Sequence, residues 1–502
     1  MEFLDPKKRQ AHLIRLFVGY ILIGAAVILT TIILLYQAYG FGLKNGEVIQ
    51  NGLIFISSSP GGANILVNGT KRPETTNSRL LLPAGQYSFE LQRDGYRPWK
   101  RAVNLEGGTV QRFDYPVLFP TKLTTTAAKR YDLKPTILTE SPDRRWVFVQ
   151  DNTAYNVFDV FDSTKLGKDP VTVTIPTTLS TLAGTSSWKF VEWSNDNSHV
   201  LLQHIVTDAA GKQTSEYIMA NRENPDQSVN LTTTLGINPT KIELRDKKYD
   251  QYFIYTQDDH KLQTASISQP KPQALLEHVL DYKTYGANMV LYAADQGAPA
   301  GKALIKLQDN DQSYTLRTVT LGSTYMLELT QYAGDWYMVA GAPSENRTYI
   351  YKNPVASLAA QPSTPLTPVQ VLKTANPNFV SFSDNARFIM AENGQQFSVF
   401  DAENDKGYTY TSDAVVDAPQ PHATWMDGNR LTYVSNGKII VFDYDNTNRQ
   451  TLVNSDALYG SAFDRDYKVL YALGAQTAKD AAGKDTTQYV LTSTPLRTPQ
   501  DQ

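Results

Sequence analysis

From the N-terminus onward, apolar and polar positions follow three successive patterns. Between Leu16 and Leu43 no residue is charged. Within that stretch, Phe17–Tyr36 (FVGYILIGAAVILTTIILLY) supplies the roughly 20 apolar residues that cross a bilayer as a helix. From Gly52 the pattern shortens to strand length. Gly52–Ser57 is an apolar run stopped by Ser59-Pro60-Gly61-Gly62, and Ala63–Val67 restarts it before the Asn68-Gly69 turn. Tyr87, Phe89 and Leu91 then alternate with Ser88, Glu90 and Gln92, the period of a half-buried strand. About six short strands with Gly-rich turns predict a small β-sandwich over 52–118.

Beyond a Thr/Ala/Lys-rich connector (119–130), one pattern recurs: a strand, an Asp/Asn/Gly turn, and a second apolar strand. It begins at Ser141, Trp193, Arg245, Gly286, Ala333, Phe382, Trp425 and Phe463, a spacing that suits four-stranded propeller blades of roughly 40–50 residues. The expected fold is therefore all-β after one transmembrane helix. The chain divides into a tail (1–15), a signal-anchor helix (16–39), a linker (40–51), the sandwich (52–118), a linker (119–130), a β-propeller (131–497) and a C-terminal tail (498–502). Eight blades are expected, or seven if the fainter copies at Gly286 and Ala333 merge.

Flanking charge orients the helix. Lys7, Lys8, Arg9 and Arg15 precede it, and Lys44 is the basic residue that closely follows it. By the positive-inside rule the N-terminus is cytoplasmic and the bulk of the chain extracytoplasmic. A cleaved signal peptide is the weaker reading, because the apolar run exceeds an h-region and no A-x-A-like site follows it. Gly19 and Gly24 lack the GxxxG spacing of a helix-packing motif.

Four separated elements of the sandwich resemble the PEGA domain, a β module of bacterial and archaeal envelope proteins. They are Ser57–Ala63 (SSSPGGA), Ile65–Gly69 (ILVNG), Leu82–Tyr87 (LPAGQY) and Arg93–Tyr96 (RDGY). Gly61 stands where the family name has Glu, and Arg72-Pro73-Glu74-Thr75 replaces the usual Gly-x-x-Pro step. The resemblance implies a non-catalytic envelope spacer or adhesion module. Tyr96 and Trp99 read as core packing, with a recognition pair as the alternative. The repeating turns resemble those of TolB-like propellers (Ser-Pro-Asp-Gly), most closely at Ser141-Pro142-Asp143 and Phe382-Ser383-Asp384. That likeness implies a shape without an activity, and the Asp side chains are expected to accept backbone N–H bonds within their turns.

Composition adds exclusions. The 502 residues carry a net charge of −3, with 19% charged and no cysteine. A near-neutral balance argues against nucleic-acid binding, and zero cysteine removes disulfides, thiolate metal sites and cysteine nucleophiles. The histidines (His12, His199, His204, His260, His278, His422) form no local metal motif, and His199 and His204 fall on opposite strand faces. No G-x-S-x-G or GxxxxGK[ST] sequence occurs. Asp401–Gly407 and Asp443–Thr447 begin like calcium loops but lack Glu at position twelve, so they read as blade turns. The segments Ala294–Lys302, Pro354–Pro368 and Gly474–Thr487 read as surface loops.

No catalytic, cofactor-binding or metal residues are therefore assigned, and no cofactor is expected. The function expected is a non-enzymatic, membrane-anchored envelope protein whose propeller binds an envelope protein or surface polysaccharide. The alternatives are an extracytoplasmic enzyme acting on envelope glycan or peptide at the propeller mouth, and a sensor subunit of a membrane complex.

Overall fold

The computed structural model describes residues 6–38, 41–44, 47–152, 154–180, 182–360, 365–419, 422–479 and 483–501. The N-terminal α-helix, α1 (Pro6–Ala38), begins at Pro6 rather than at the expected Leu16, because the basic segment before the apolar run has no helix breaker after Pro6. Within Gln10–Tyr36 its most apolar 18 residues have a mean hydropathy of 2.6, and none of them is buried against the protein. The rest of the described chain forms two compact units divided after Lys122.

The first unit is a sandwich of two four-stranded sheets. Its strands are β1 (Phe41–Lys44), β2 (Glu47–Ile56), β3 (Asn64–Val67), β4 (Thr70–Thr75), β5 (Ser78–Pro83), β6 (Gly85–Gln92), β7 (Trp99–Leu105) and β8 (Val110–Phe113). The long strand β2 pairs β1 along its first half, then lies between β5 and the parallel β8. The second sheet runs β4-β3-β6-β7. The expected linker 40–51 thus holds a hairpin that feeds the sheet, a correction to the domain reading. Ile54, Ile56, Phe89, Leu91 and Trp99 fill the interior with 2% exposure or less. Trp99 packs its ring 5.9 Å from those of Phe113 and Tyr115, and Tyr96 is buried, so this pair is core. Gly52 is required by close approach: a Cβ there would lie 2.5 Å from Leu105 Cδ1 and 2.7 Å from the Glu106 carbonyl oxygen.

The second unit is a β-propeller. Among the described residues it contains eight successive four-stranded antiparallel sheets, over 138–174, 185–230, 241–276, 279–320, 328–372, 379–411, 424–454 and 462–495. They are called sheets 1 to 8 below. Every one of the eight recurring turns lies between the first and second strands of a sheet, and the copies at Gly286 and Ala333 belong to separate sheets. Second strands such as Trp146–Asp151 and Phe388–Glu392 are buried on both faces, which explains their continuous apolar runs. Outermost strands such as Lys406–Thr411 alternate between half-buried and exposed. First strands touch between sheets 2 and 3, 4 and 5, and 5 and 6, and those of sheets 8 and 1 touch as well, so the array closes on itself.

Closure uses a strand that the sequence pattern hides. β9 (Thr126–Tyr131), which takes up the second half of the expected linker 119–130 and the first residue beyond it, pairs with Asp485–Pro495 and supplies the outermost strand of sheet 8. Phe119 and Pro120 at the other end of that linker are buried with the sandwich. Two expected loops are also partly regular. Pro354–Ala360 is a helix, with 361–364 outside the described residues. Gly474–Thr487 extends the hairpin Val469–Lys479/Asp485–Pro495, with 480–482 outside the description.

Candidate functional site

The recurring turns sit at one end of the propeller and carry a network of polar contacts. Their acidic and amide side chains accept backbone N–H bonds as expected for Asx turns. Asp196 Oδ1 accepts from Ser198 and His199 at 2.8 and 3.0 Å, and Asp427 Oδ1 from Asn429 and Arg430 at 2.7 and 2.8 Å. Asn385 and Asp143 do the same at 3.2 and 3.1 Å.

Arg144 occupies the position at which the Ser-Pro-Asp-Gly turn has glycine. Its φ of 56° is a left-handed conformation that costs a side-chain-bearing residue roughly 1–2 kcal/mol. The guanidinium reaches across the end of the array. It bonds Asp384 Oδ2 of sheet 6 at 2.5 Å and the Met426 carbonyl of sheet 7 at 2.9 Å. It also lies 3.4 Å from Glu140 Oε1 of sheet 1 and 4.8 Å from the Tyr467 ring centroid of sheet 8. One side chain therefore joins four sheets.

Adjacent sheets are also stapled along their inner strands. Glu140 Oε2 accepts the Phe463 N–H at 2.6 Å, and Trp193 Nε1 donates to Thr139 at 3.2 Å. Trp425 Nε1 donates to Ser381 at 3.0 Å, and Lys283 pairs with Glu328 at 3.0 Å. Burial pushes the Glu140 carboxyl up to about 7 against the pull of Arg144. Glu392, fully buried and accepting the Ala423 N–H at 2.7 Å, is likewise raised by burial to about 7.

Between the turns of sheets 1 and 8 a cavity of about 540 Å³ is lined by Asp143, Arg145, Asp464, Arg465, Lys468 and Arg497. Arg145 is held at 3.0 Å by Asp162, whose carboxyl sits well below the usual range because Arg145 and Thr164 outweigh burial. Side chains of both signs of charge line this groove.

At the opposite end of sheet 2 the structure assembles a cluster missed in the sequence. Glu216 Oε1 lies 2.8 Å from His204 Nδ1, and His204 Nε2 lies 3.0 Å from Ser186 Oγ. Trp188 stacks on the imidazole at 4.4 Å, and Asn230 donates to the other Glu216 oxygen at 2.7 Å. Burial alone would raise the Glu216 carboxyl, but its bonds from His204, Ser180 and Asn230 bring it below its ordinary value. A carboxylate only accepts, so Nδ1 carries a proton; with the imidazole neutral, Nε2 accepts from the serine hydroxyl. Sequence reasoning placed His204 on the face opposite His199 but had no signal for residues brought in from two other strands.

The remaining candidates are structural. His199 stacks on Tyr249 at 4.0 Å and bonds Asp196 at 2.6 Å, and His422 stacks on Phe379 at 3.9 Å. His278 lies 3.5 Å from Asp295, and His260 Nδ1 lies 3.3 Å from the Val279 carbonyl. His12 is an exposed residue of α1. Asp401 is fully buried against Arg387 at 2.7 Å, and Asp443 accepts from Asn448 at 2.8 Å, so both acidic loops use their carboxylates internally. Among the described residues no group of three or more His, Asp or Glu side chains is arranged to hold a metal ion.

Residues 51–117 match the PEGA domain family. No curated protein matches the chain by sequence. Solved structures with similar folds include a eukaryotic initiation factor at 14% identity, covering 66% of this chain and 91% of that one with a TM-score of 0.38. The Cps50 (Swd1) β-propeller domain of Myceliophteria thermophila is 8% identical over 74% of this chain and 99% of that one, TM-score 0.35. A Bacteroides fragilis protein described as a 6-phosphogluconolactonase is 14% identical over 59% and 95%, TM-score 0.34.

Proposed function

We propose that this is a non-enzymatic, single-pass membrane protein of the bacterial cell envelope. It holds its propeller outside the membrane as a platform for an envelope protein or surface polysaccharide. The observation that carries the reading is α1, whose Gln10–Tyr36 stretch has no part buried within the fold. So large an exposed apolar surface marks a contact with membrane or protein, its length suits a bilayer span, and the basic residues on its N-terminal side favour an extracytoplasmic propeller. The PEGA match between helix and propeller supports the envelope setting. The charged groove between sheets 1 and 8 is the surface we assign to the partner. Crosslinking of the full chain in native membranes tests this. Expected is one recurrent envelope protein or glycan adduct, lost when Arg465 and Lys468 are both changed to Glu. Adducts unaffected by that change would contradict the assignment of the groove.

A second reading, an extracytoplasmic hydrolase for envelope peptide or acylated glycan, is favoured by Ser186, His204 and Glu216. Their hydrogen-bond order is that of an activated serine nucleophile. Under this reading a fluorophosphonate probe labels Ser186 in the intact protein, and Ser186→Ala abolishes the labelling. An unlabelled chain would leave the three residues as a structural clasp.

A further inference from the structure

The two outer faces of the sandwich differ in character. On the β4-β3-β6-β7 sheet the outward positions include Lys71, Glu90 and Lys100, with Lys100 and Glu90 3.5 Å apart. On the other sheet, Leu53 of β2 is flanked in register by Leu81 of β5 and Val110 of β8. Leu81 is 58% exposed and Val110 55%, while their neighbours Leu80, Leu82, Ile54 and Phe113 point inward and are buried. One step along the strands, Phe55 is flanked by Arg79 and Arg112 in the same way, with the Arg112 guanidinium 4.7 Å from the Phe55 ring centroid. A row of three apolar side chains therefore lies beside an aromatic residue bracketed by two exposed arginines.

The chain path restricts what can cover this face. α1 ends at Ala38 and β1 begins at Phe41, a separation of at most about 11 Å at ~3.6 Å per residue. The antiparallel register sets Gln50 beside Phe41, so β2 then runs back past the point where the chain arrives from the helix. Leu53 is three residues further, roughly 10 Å along the strand. The apolar row is thus confined to within a few strand spacings of the end of the membrane-spanning helix. Apolar side chains with adjacent arginines match the boundary between acyl chains and anionic headgroups.

We infer that the face formed by Leu53, Phe55, Leu81 and Val110 with Arg79 and Arg112 docks onto the anionic lipid surface of the bilayer that holds α1, fixing the sandwich against the membrane. This inference rests on the proposed membrane anchoring, and its test separates the two.

The chain has no cysteine, so a single introduced one gives a unique label. Full-length Val110→Cys and, as a control on the opposite face, Lys100→Cys carry an environment-sensitive fluorophore. Both are reconstituted into vesicles of phosphatidylcholine, with or without phosphatidylglycerol and with brominated acyl chains. Co-flotation with the vesicles reports anchoring. Docking predicts a blue-shifted label at residue 110 that brominated lipid quenches, and a label at 100 that it does not. Arg79→Glu with Arg112→Glu should then reduce docking on phosphatidylglycerol membranes by roughly tenfold or more, from the loss of two basic contacts. Floating protein with equal quenching at both positions would overturn the docking while leaving the anchor intact. So would a label at 110 that is shielded in proportion to protein concentration and not by lipid, which identifies a second copy as the occupant. Failure to float would overturn the anchoring itself.

Discussion

The sandwich and the propeller solve the same problem, closing β-sheets without disulfides, by different means. The sandwich closes around one aromatic centre in which Trp99 meets Phe113 and Tyr115. The propeller spreads its apolar core over the seams between sheets, for example Phe148, Phe158, Trp188 and Trp193 between sheets 1 and 2. It then closes the ring with an outer strand and buried charge. Lys129 on β9 reaches Asp151 and Asp159 of sheet 1 at 3.0 and 2.5 Å, and Asp159 is fully buried. Apolar centres respond to volume, whereas a charged latch responds to the loss of a partner and to pH. The two units should therefore fail under different perturbations.

The largest expected effect is in the sandwich. Trp99→Ala removes its largest core side chain and should destabilise that unit by about 4 kcal/mol. Limited proteolysis should then cut within 47–118 while the propeller remains resistant. Cleavage of both units together would show that they unfold as one, and the comparison would collapse. Next is the latch. Lys129→Ala strands two buried carboxylates and should cost the propeller roughly 3 kcal/mol, read as a lower midpoint for the propeller transition with the sandwich unchanged. Arg144→Ala gives up its bonds to sheets 6 and 7 and, still bearing a Cβ, keeps the left-handed backbone strain, for a loss of about 2 kcal/mol. Arg144→Gly should lose less than Arg144→Ala, because glycine tolerates the turn.

The last effect is in pH. Glu392 has a folded-state value of about 7 against an ordinary 4.5, raised by burial. A carboxyl whose folded pKa is raised binds more protons folded than unfolded. Its stabilisation is fully present below the ordinary value and is lost as pH rises through about 7. Propeller stability should therefore fall as pH rises from about 4.5 through about 7, and since Glu140 is raised in the same way, Glu392→Gln should flatten part of that fall and Glu392→Gln with Glu140→Gln more of it. The sandwich core, which is apolar, should show little slope over the same range.

What was legible in the sequence follows the same division. The sandwich could be read from turn residues and alternation because its strands are half-buried. The propeller could be read from the repeated turns, whose Asp and Asn side chains are local devices. β9 was hidden because an exposed outer strand needs no apolar period, and Thr126–Tyr131 reads like a connector. Arg144 looked like one more turn residue, since its importance comes from partners more than two hundred positions away. The Ser186, His204 and Glu216 cluster was invisible for a related reason: strand register brings its members together, and no motif spacing marks them.

The central claim is topological, an anchor inside the membrane with both β units outside it. The cysteine-free chain permits a direct measurement. Single cysteines are placed at Lys8, before the apolar stretch of α1, and at Thr477, exposed on the long hairpin of sheet 8. Cells stripped to their cytoplasmic membrane are then treated with a membrane-impermeant maleimide. The account predicts labelling at residue 477 before lysis and at residue 8 only after it. Labelling in the reverse order, or at both positions before lysis, would contradict it.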